Sequence, residues 1–398
     1  MQKKLIALAI AGLSGAAFAQ SNVTIYGVMD GTYDNVSATG ATNGAAGNNY
    51  QSRGRTTMNS SYVGFKGVES LGNGLAVAFQ VETAVGENAG ATNTVAGSTY
   101  GWANRDTYVG LAGGFGTIAF GNLTAPARAL GAAMDVNSGA TGIGANTALL
   151  GKFFGGSGAG YFDQRFSNAI AYISPTMGGF SGVLAYVPNE NRGKDVASGT
   201  AQTNTTGWTL GLNYNNGPIM VGYAWTQIKD ADNNNVAGSG LALTTGIGAA
   251  NIVKATNNRL AAKYNFGAGT VGLMWDQNKA TAAGAAAADY KGTGWFLPVT
   301  FNVGSGKIIG QYGKVNNPSG TLVAAGTDYS AKQFTLGYEY SMSKRTILKA
   351  VYSQITNSTN ATYDFLYGVS APNTTGPGAG VSAGADPRGI SIGLRHSF

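Results

Sequence analysis

Residues 62–82 read YVGFKGVESLGNGLAVAFQVE. Val63 and Phe65 fall on one side of an extended chain, and Tyr62 and Lys66 fall on the other. Beyond Leu71-Gly72-Asn73-Gly74 the alternation resumes, with Leu75, Val77, Phe79 and Val81 set against Gln80 and Glu82. Side chains with a period of two stand on opposite faces of a strand. Two such runs joined by Gly-Asn-Gly form a β-hairpin with one apolar face and one wet face.

The same reading extends in both directions. Upstream, Val23, Ile25 and Met29 oppose Thr24, Tyr26, Asp30 and Thr32. Downstream, strands are predicted near 104–112, 116–122, 167–175, 180–188, 206–214, 218–228, 257–266 and 270–279. Five more come near 292–303, 307–316, 331–342, 345–355 and 388–398, sixteen in all. Most are close to ten residues long, which suits a tilted strand crossing a bilayer better than the usual soluble strand of about 5 to 6.

The connections alternate in length. Short ones, such as Asn215-Asn216-Gly217, Gly267-Ala268-Gly269 and Gly304-Ser305-Gly306, carry turn residues. Long ones at 35–55, 85–103, 123–166, 189–205, 229–256, 280–291, 317–330 and 356–387 are rich in Gly, Ala, Asn and Thr. An even-stranded barrel with short turns at one rim and long loops at the other has this asymmetry. A repeat solenoid is excluded, because no fixed short period is present.

At the N-terminus, Lys3 and Lys4 precede the apolar run Leu5 to Leu13 and the small-residue site Ala17-Phe18-Ala19. This is the pattern of a secretory signal peptide, residues 1–19, leaving 20–398 as a single mature domain. Beyond it no apolar run is long enough for a membrane helix, so a membrane form of this chain satisfies its backbone only as a closed sheet. With no cysteine, neither disulfides nor thiolate metal sites hold it. Without Lys3 and Lys4, 23 basic residues face 18 acidic ones, a charge of +5. That excess is small and unclustered, which excludes a nucleic-acid surface and fits a mildly electropositive lining. Aromatic residues gather toward strand ends, at Tyr62, Tyr108, Tyr172, Tyr186, Trp208, Tyr214, Tyr223, Trp225, Tyr264, Trp275, Trp295, Tyr338 and Tyr340, as in interfacial girdles.

Several segments carry a family resemblance. They are Val23-Thr24-Ile25-Tyr26-Gly27, the hairpin 64–74, Tyr108-Val109-Gly110-Leu111, Gly113-Gly114-Phe115-Gly116-Thr117, Tyr172-Ile173-Ser174-Pro175, the stretch 336–346 and the ending Gly393-Leu394-Arg395-His396-Ser397-Phe398. Together they resemble the trimeric general diffusion porins of beta-proteobacteria, over essentially the whole mature chain. The resemblance implies a sixteen-stranded antiparallel transmembrane β-barrel in the outer membrane, with short periplasmic turns and long extracellular loops. It also implies a homotrimer in contact with outer-membrane lipid and lipopolysaccharide, without cofactor, and a terminal aromatic, Phe398, read by the barrel-assembly machinery. The implied activity is passive diffusion of ions and small hydrophilic solutes, leaning toward anions. A solute-specific channel of the same architecture is the alternative.

In that family a third loop folds into the lumen and narrows it. Here the loop is expected at about 123–166, with Arg128 and Asp135 as constriction residues. Gly121-Asn122 and Val136-Asn137 depart from the Gly-Arg and Pro-Phe usual there. Alternation alone assigns Asp30, Lys66, Glu82, Asp106, Arg259, Lys263, Asp276, Lys349 and Arg395 to the lumen. Fixed charge in a narrow passage between low-dielectric walls selects ions. A barrel-embedded hydrolase would need a nucleophile beside a histidine. The sole histidine, His396, shares the outward face with Leu394 and Phe398, and no nucleophile elbow is present.

Overall fold

The computed structural model describes residues 22–42, 49–85, 94–95, 98–99, 102–153, 162–188, 205–229, 252–282, 288–366, 369 and 381–398. The expected signal peptide lies outside these residues. The first strands are β1 (Asn22–Thr39), β2 (Tyr50–Thr57), β3 (Tyr62–Gly72) and β4 (Leu75–Ala84), followed by a separate two-strand ribbon, β5 (Thr94–Val95) and β6 (Ser98–Thr99). Next come β7 (Thr107–Gly113), β8 (Gly116–Thr124), helix α1 (Pro126–Met134), β9 (Arg165–Ile173), β10 (Phe180–Val187), β11 (Thr206–Asn216) and β12 (Ile219–Lys229). The chain ends with β13 (Ile252–Asn265), β14 (Gly269–Ala282), β15 (Ala288–Val303), β16 (Gly306–Val315), β17 (Ala331–Ser341), β18 (Thr346–Asn357) and β19 (Asp386–Ser397).

All strands but β5 and β6 join one antiparallel sheet, and the sheet closes on itself. The seam runs from Val28 opposite Ser397 to Thr39 opposite Asp386. At its foot the Phe398 N–H donates to the Gly27 carbonyl at 3.1 Å and the Gly27 N–H donates to the Phe398 carbonyl at 3.2 Å. On its other side β1 pairs with β3 along residues 22–28 and with β2 along residues 32–38. β2 and β3 are therefore two halves of one stave, broken at 58–61, and the barrel has sixteen staves. The break is held by Ser61, whose Oγ accepts the Asp30 N–H at 2.8 Å. The tight turn between β3 and β4 has positive φ at Gly72, Asn73 and Gly74, the left-handed region the hairpin motif requires.

The barrel is apolar outside and polar within. Ile25, Leu273 and Ile390 are more than half exposed, whereas Asp30, Arg259 and Gln333 have no exposure. Every main-chain amide of a spanning strand needs a partner because hydrocarbon offers none, and ring closure supplies it.

The structure corrects three sequence expectations. β1 continues to Thr39, β2 begins inside the stretch expected as a loop at 35–55, and β13, β14 and β15 run further toward the long-loop rim than expected. Where a strand rises beyond the lipid both its faces meet water, so the apolar/polar alternation fades although the ladder continues. Tyr62 and Tyr108 are not in the lipid-facing girdle. Tyr62 stands on the face of Tyr26 and Lys66, and Tyr108 is registered through Gln80 with Lys66, which places both in the lumen. Tyr172, Trp208, Tyr264, Trp275, Tyr338 and Tyr340 do face outward.

Candidate functional site

The connection after β8 turns into the barrel instead of away from it. α1 begins with Pro126 in its first turn, where the missing N–H costs nothing. The helix lies in a groove of three lumenal glycines on β11, β12 and β14. A Cβ at Gly211 would come within 2.7 Å of Pro126, one at Gly222 within 2.5 Å of Leu130, and one at Gly272 within 2.6 Å of Met134. Ala127, Leu130 and Met134 are buried by this seat.

Arg259 of β13 locks the helix to the wall. Its guanidinium has no exposure and binds Asp163 through both terminal nitrogens at 2.6 and 3.0 Å, Asp276 through Nε at 2.8 Å, and the Ala127 carbonyl at 2.7 Å. A planar fork of donors is suited to carboxylates held in this geometry. Lys263 donates from Nζ to the Ala133 carbonyl at 2.6 Å, placing a cation at the negative end of the helix.

Asp135 ends α1 and shapes the turn after it. Its Oδ1 accepts the Asn137 N–H at 2.8 Å and its Oδ2 accepts the Asn146 N–H at 2.7 Å. The carboxylate thus faces its own loop and is buried there. The loop then crosses the lumen. Ser138 donates to Glu339 of β17 at 2.8 and 2.6 Å, Gln311 and Gln333 donate to the Gly144 and Ala145 carbonyls at 3.3 Å each, and Thr141 reaches Ser60 at 3.4 Å. On the return, Gly151 N–H donates to Asp276 at 3.2 Å and Asn278 donates to the Lys152 carbonyl at 3.2 Å.

This packing leaves a stretch of wall across β1, β3, β4 and the approach to β7 facing the passage. Lys66 sits with its ammonium 4.9 Å from the Tyr26 ring centroid, and Arg105 lies 4.4 Å over the Tyr62 ring. Tyr26 reaches Glu82 at 2.8 Å because Gly64 beneath its ring carries no Cβ. Arg105 pairs with Glu82 at 3.3 Å, and Arg165 pairs with Asp106 at 3.2 Å. From the loop side Arg128 donates to the Asp163 carbonyl. Burial, with Arg165 and Arg105 nearby, pushes the Arg128 guanidinium down to about 10. Among the described residues four cations, Lys66, Arg105, Arg128 and Arg165, here face two carboxylates, Glu82 and Asp106, and the neighbouring Asp163 carboxylate is taken by Arg259.

The remaining sequence-assigned residues are distributed around the wall. Asp30 has no exposure and is held by Lys349 at 2.6 Å and Arg395 at 2.9 Å. Asp106 also accepts the Thr124 N–H at 2.7 Å, fixing the root of the loop. Arg128 and Arg259 meet at Asp163, while Lys263 and Lys349 stand apart from the four-cation stretch. Sequence reading missed Arg105 and Arg165. Alternation sends Arg105 outward because Asp106 faces in, but both precede β7, where the chain is irregular and both side chains turn inward. Arg165 opens β9 two residues earlier than expected.

A closed antiparallel barrel with an apolar exterior, a charged lumen and a loop folded across it defines an outer-membrane diffusion channel. The chain belongs to the Gram-negative porin family, whose model matches residues 5–360. It is 30% identical to outer membrane porin protein 32 of Delftia acidovorans over 400 residues, covering all of both chains. It is also 30% identical to major outer membrane protein P.IB of Neisseria gonorrhoeae, over 87% of this chain and 91% of the other. Among solved structures, the anion-selective porin from Comamonas acidovorans superposes with a TM-score of 0.72 at 25% identity, covering 95% of this chain and all of that one. The protein is a passive channel of the outer membrane and not an enzyme.

Proposed function

We propose that the channel favours anions, and that its selective stretch lies between the loop spanning about 123–166 and the wall carrying Lys66, Arg105 and Arg165. The observation that carries this reading is the convergence of those cations with Arg128 against Glu82 and Asp106 among the described residues, both carboxylates already engaged by hydrogen bonds, while the neighbouring Asp163 carboxylate is taken by Arg259. In a passage with low-dielectric walls such an excess raises the local anion concentration. Asp30 with Lys349, and Arg259 with Asp163 and Asp276, set the shape of the lumen around it; Lys263 and Asp135 fix the ends of α1 and the turn beyond it.

Reconstitution into a planar bilayer under a salt gradient tests the reading. The reversal potential is expected on the anion side, and a charge-removing Arg105→Gln/Arg165→Gln variant is expected to bring it toward zero. A cation-side potential in the unaltered protein overturns the proposal.

The assembly proposed with it is a homotrimer embedded in outer-membrane lipid that includes lipopolysaccharide. Residues 1–19 direct export, and Phe398 is the signal read by the barrel-assembly machinery. Supporting this, Phe398 stands at the closing seam with its ring against Gly27.

A further inference from the structure

Six of the thirteen lysines in residues 20–398 stand on one arc of the outer surface, at the long-loop ends of consecutive strands. They are Lys229 of β12, Lys254 of β13, Lys279 of β14, Lys291 of β15, Lys314 of β16 and Lys332 of β17. Each is flanked by buried lumenal neighbours, as Lys229 is by Ile228, Lys254 by Ala255 and Lys332 by Ala331 and Gln333, so each faces outward. Five are exposed and Lys314 is half-buried.

Their register is unusual. Lys229 lies directly opposite Lys254, Lys279 opposite Lys291, and Lys314 opposite Lys332. Like charges directly across a strand pair are destabilising, and the arc carries three such pairs in succession. Among the described residues none of the six is within 4.0 Å of a carboxylate. The acids on this rim, Asp289 and Asp328, are turned to their own backbone, accepting the N–H of Thr321 at 3.0 Å and of Ser330 at 2.9 Å. Trp275 and Trp295 lie on the same outward face of β14 and β15, four residues nearer the membrane middle than Lys279 and Lys291, as expected where lipid gives way to head groups. Around the rest of the barrel, among the described strand residues, Arg388 is the one outward cation.

We infer that this arc binds the phosphate groups of lipopolysaccharide in the outer leaflet, each lysine pair gripping one phosphate. The inference rests on the lipopolysaccharide contact proposed above and goes further by assigning the site and by making β12–β17 the lipid-facing side of the barrel. A phosphate between paired ammonium groups turns the repulsion of each pair into attraction, and a surface of this charge draws anionic lipid.

The test uses the purified full-length protein in detergent, with bisphosphorylated lipid A as the probe and native mass spectrometry and thermal melting as readouts. The unaltered protein is expected to bind lipid A at least tenfold tighter than dephosphorylated lipid A, and to melt higher in its presence. A variant carrying Lys→Ser at all six positions, and the milder Lys279→Ser/Lys291→Ser pair, are expected to lose that preference in full and in part. Without lipid A the six-position variant is expected to melt no lower than the parent, because three repulsive pairs are gone, and Arg388→Ser is expected to bind like the parent. Retained lipid A binding by the six-position variant, or equal affinity of the parent for phosphatidylglycerol, overturns the assignment. Single-channel conductance in plain phospholipid reports separately on the lumen, so a failure here is distinguishable from a failure of the channel reading.

Discussion

Arg259 shows what a single residue does in this lumen. A guanidinium with no exposure is tolerable only because two carboxylates and a carbonyl take its donors, and removing it strands both Asp163 and Asp276. Arg259→Gln is expected to cost about 3–5 kcal/mol of barrel stability by analogy with other broken buried pairs. A lowered urea midpoint and noisier conductance steps, as α1 loosens, are the measurements that check it. Lys152 behaves in the opposite sense. Burial pushes its ammonium down to about 8, against the pull of Asp364 and Asp163. Its folded value lies below the ordinary 10.5, so between those two values the unfolded chain keeps a proton the folded one has released. Stability therefore rises as pH climbs through that window. Lys152→Met is expected to flatten this slope, which is at most roughly 1.4 kcal/mol per pH unit, and to raise the urea midpoint at pH 7.

At the scale of elements, α1 owes its place to the absence of side chains at Gly211, Gly222 and Gly272. Gly222→Leu is expected to push the helix off the wall toward the axis, lowering single-channel conductance and slowing sugar entry in liposome swelling. An unchanged conductance would show that the helix has another anchor. The glycines also mark the limit of what the sequence conveys. Strands whose outer face meets lipid, such as β3, β4 and β18, were legible because Phe65, Phe79 or Leu348 stands beside a polar lumenal neighbour, Lys66, Gln80 or Lys349. β2 was not, because on both its faces Ser52, Arg53 and Arg55 meet polar surroundings. Lys66, Asp30 and Arg259 were assignable to the lumen by parity. Arg105 was not, since parity has meaning only within a regular strand. The inward turn of the loop was implied by resemblance, but the ties that hold it across the lumen join residues 81 to 201 positions apart, as in Thr141 to Ser60, Arg259 to Asp163 and Ser138 to Glu339. No local pattern encodes such a pairing.

At the scale of the molecule, the proposed trimer is expected to run as one folded band in unheated detergent gels and as a monomer of about 38 kDa after boiling, from ~379 residues at roughly 0.1 kDa each. A band insensitive to heating at the monomer position would refute the assembly. Deleting Phe398 removes two seam hydrogen bonds and a ring packed on Gly27, and is expected to reduce the folded fraction in the membrane sharply while leaving export unaffected.

The seam between β1 and β19 also governs the order of events in biogenesis. The first strand to emerge from the ribosome cannot complete its hydrogen bonding until the last residues have been made, because its partner is the far end of the polypeptide. Any partial cylinder has two raw borders, each able to pair with a stranger. Closure is therefore expected as one late, all-or-nothing event, and a chain that lacks β19 is expected to give no smaller pore, because β1 keeps an unpaired border.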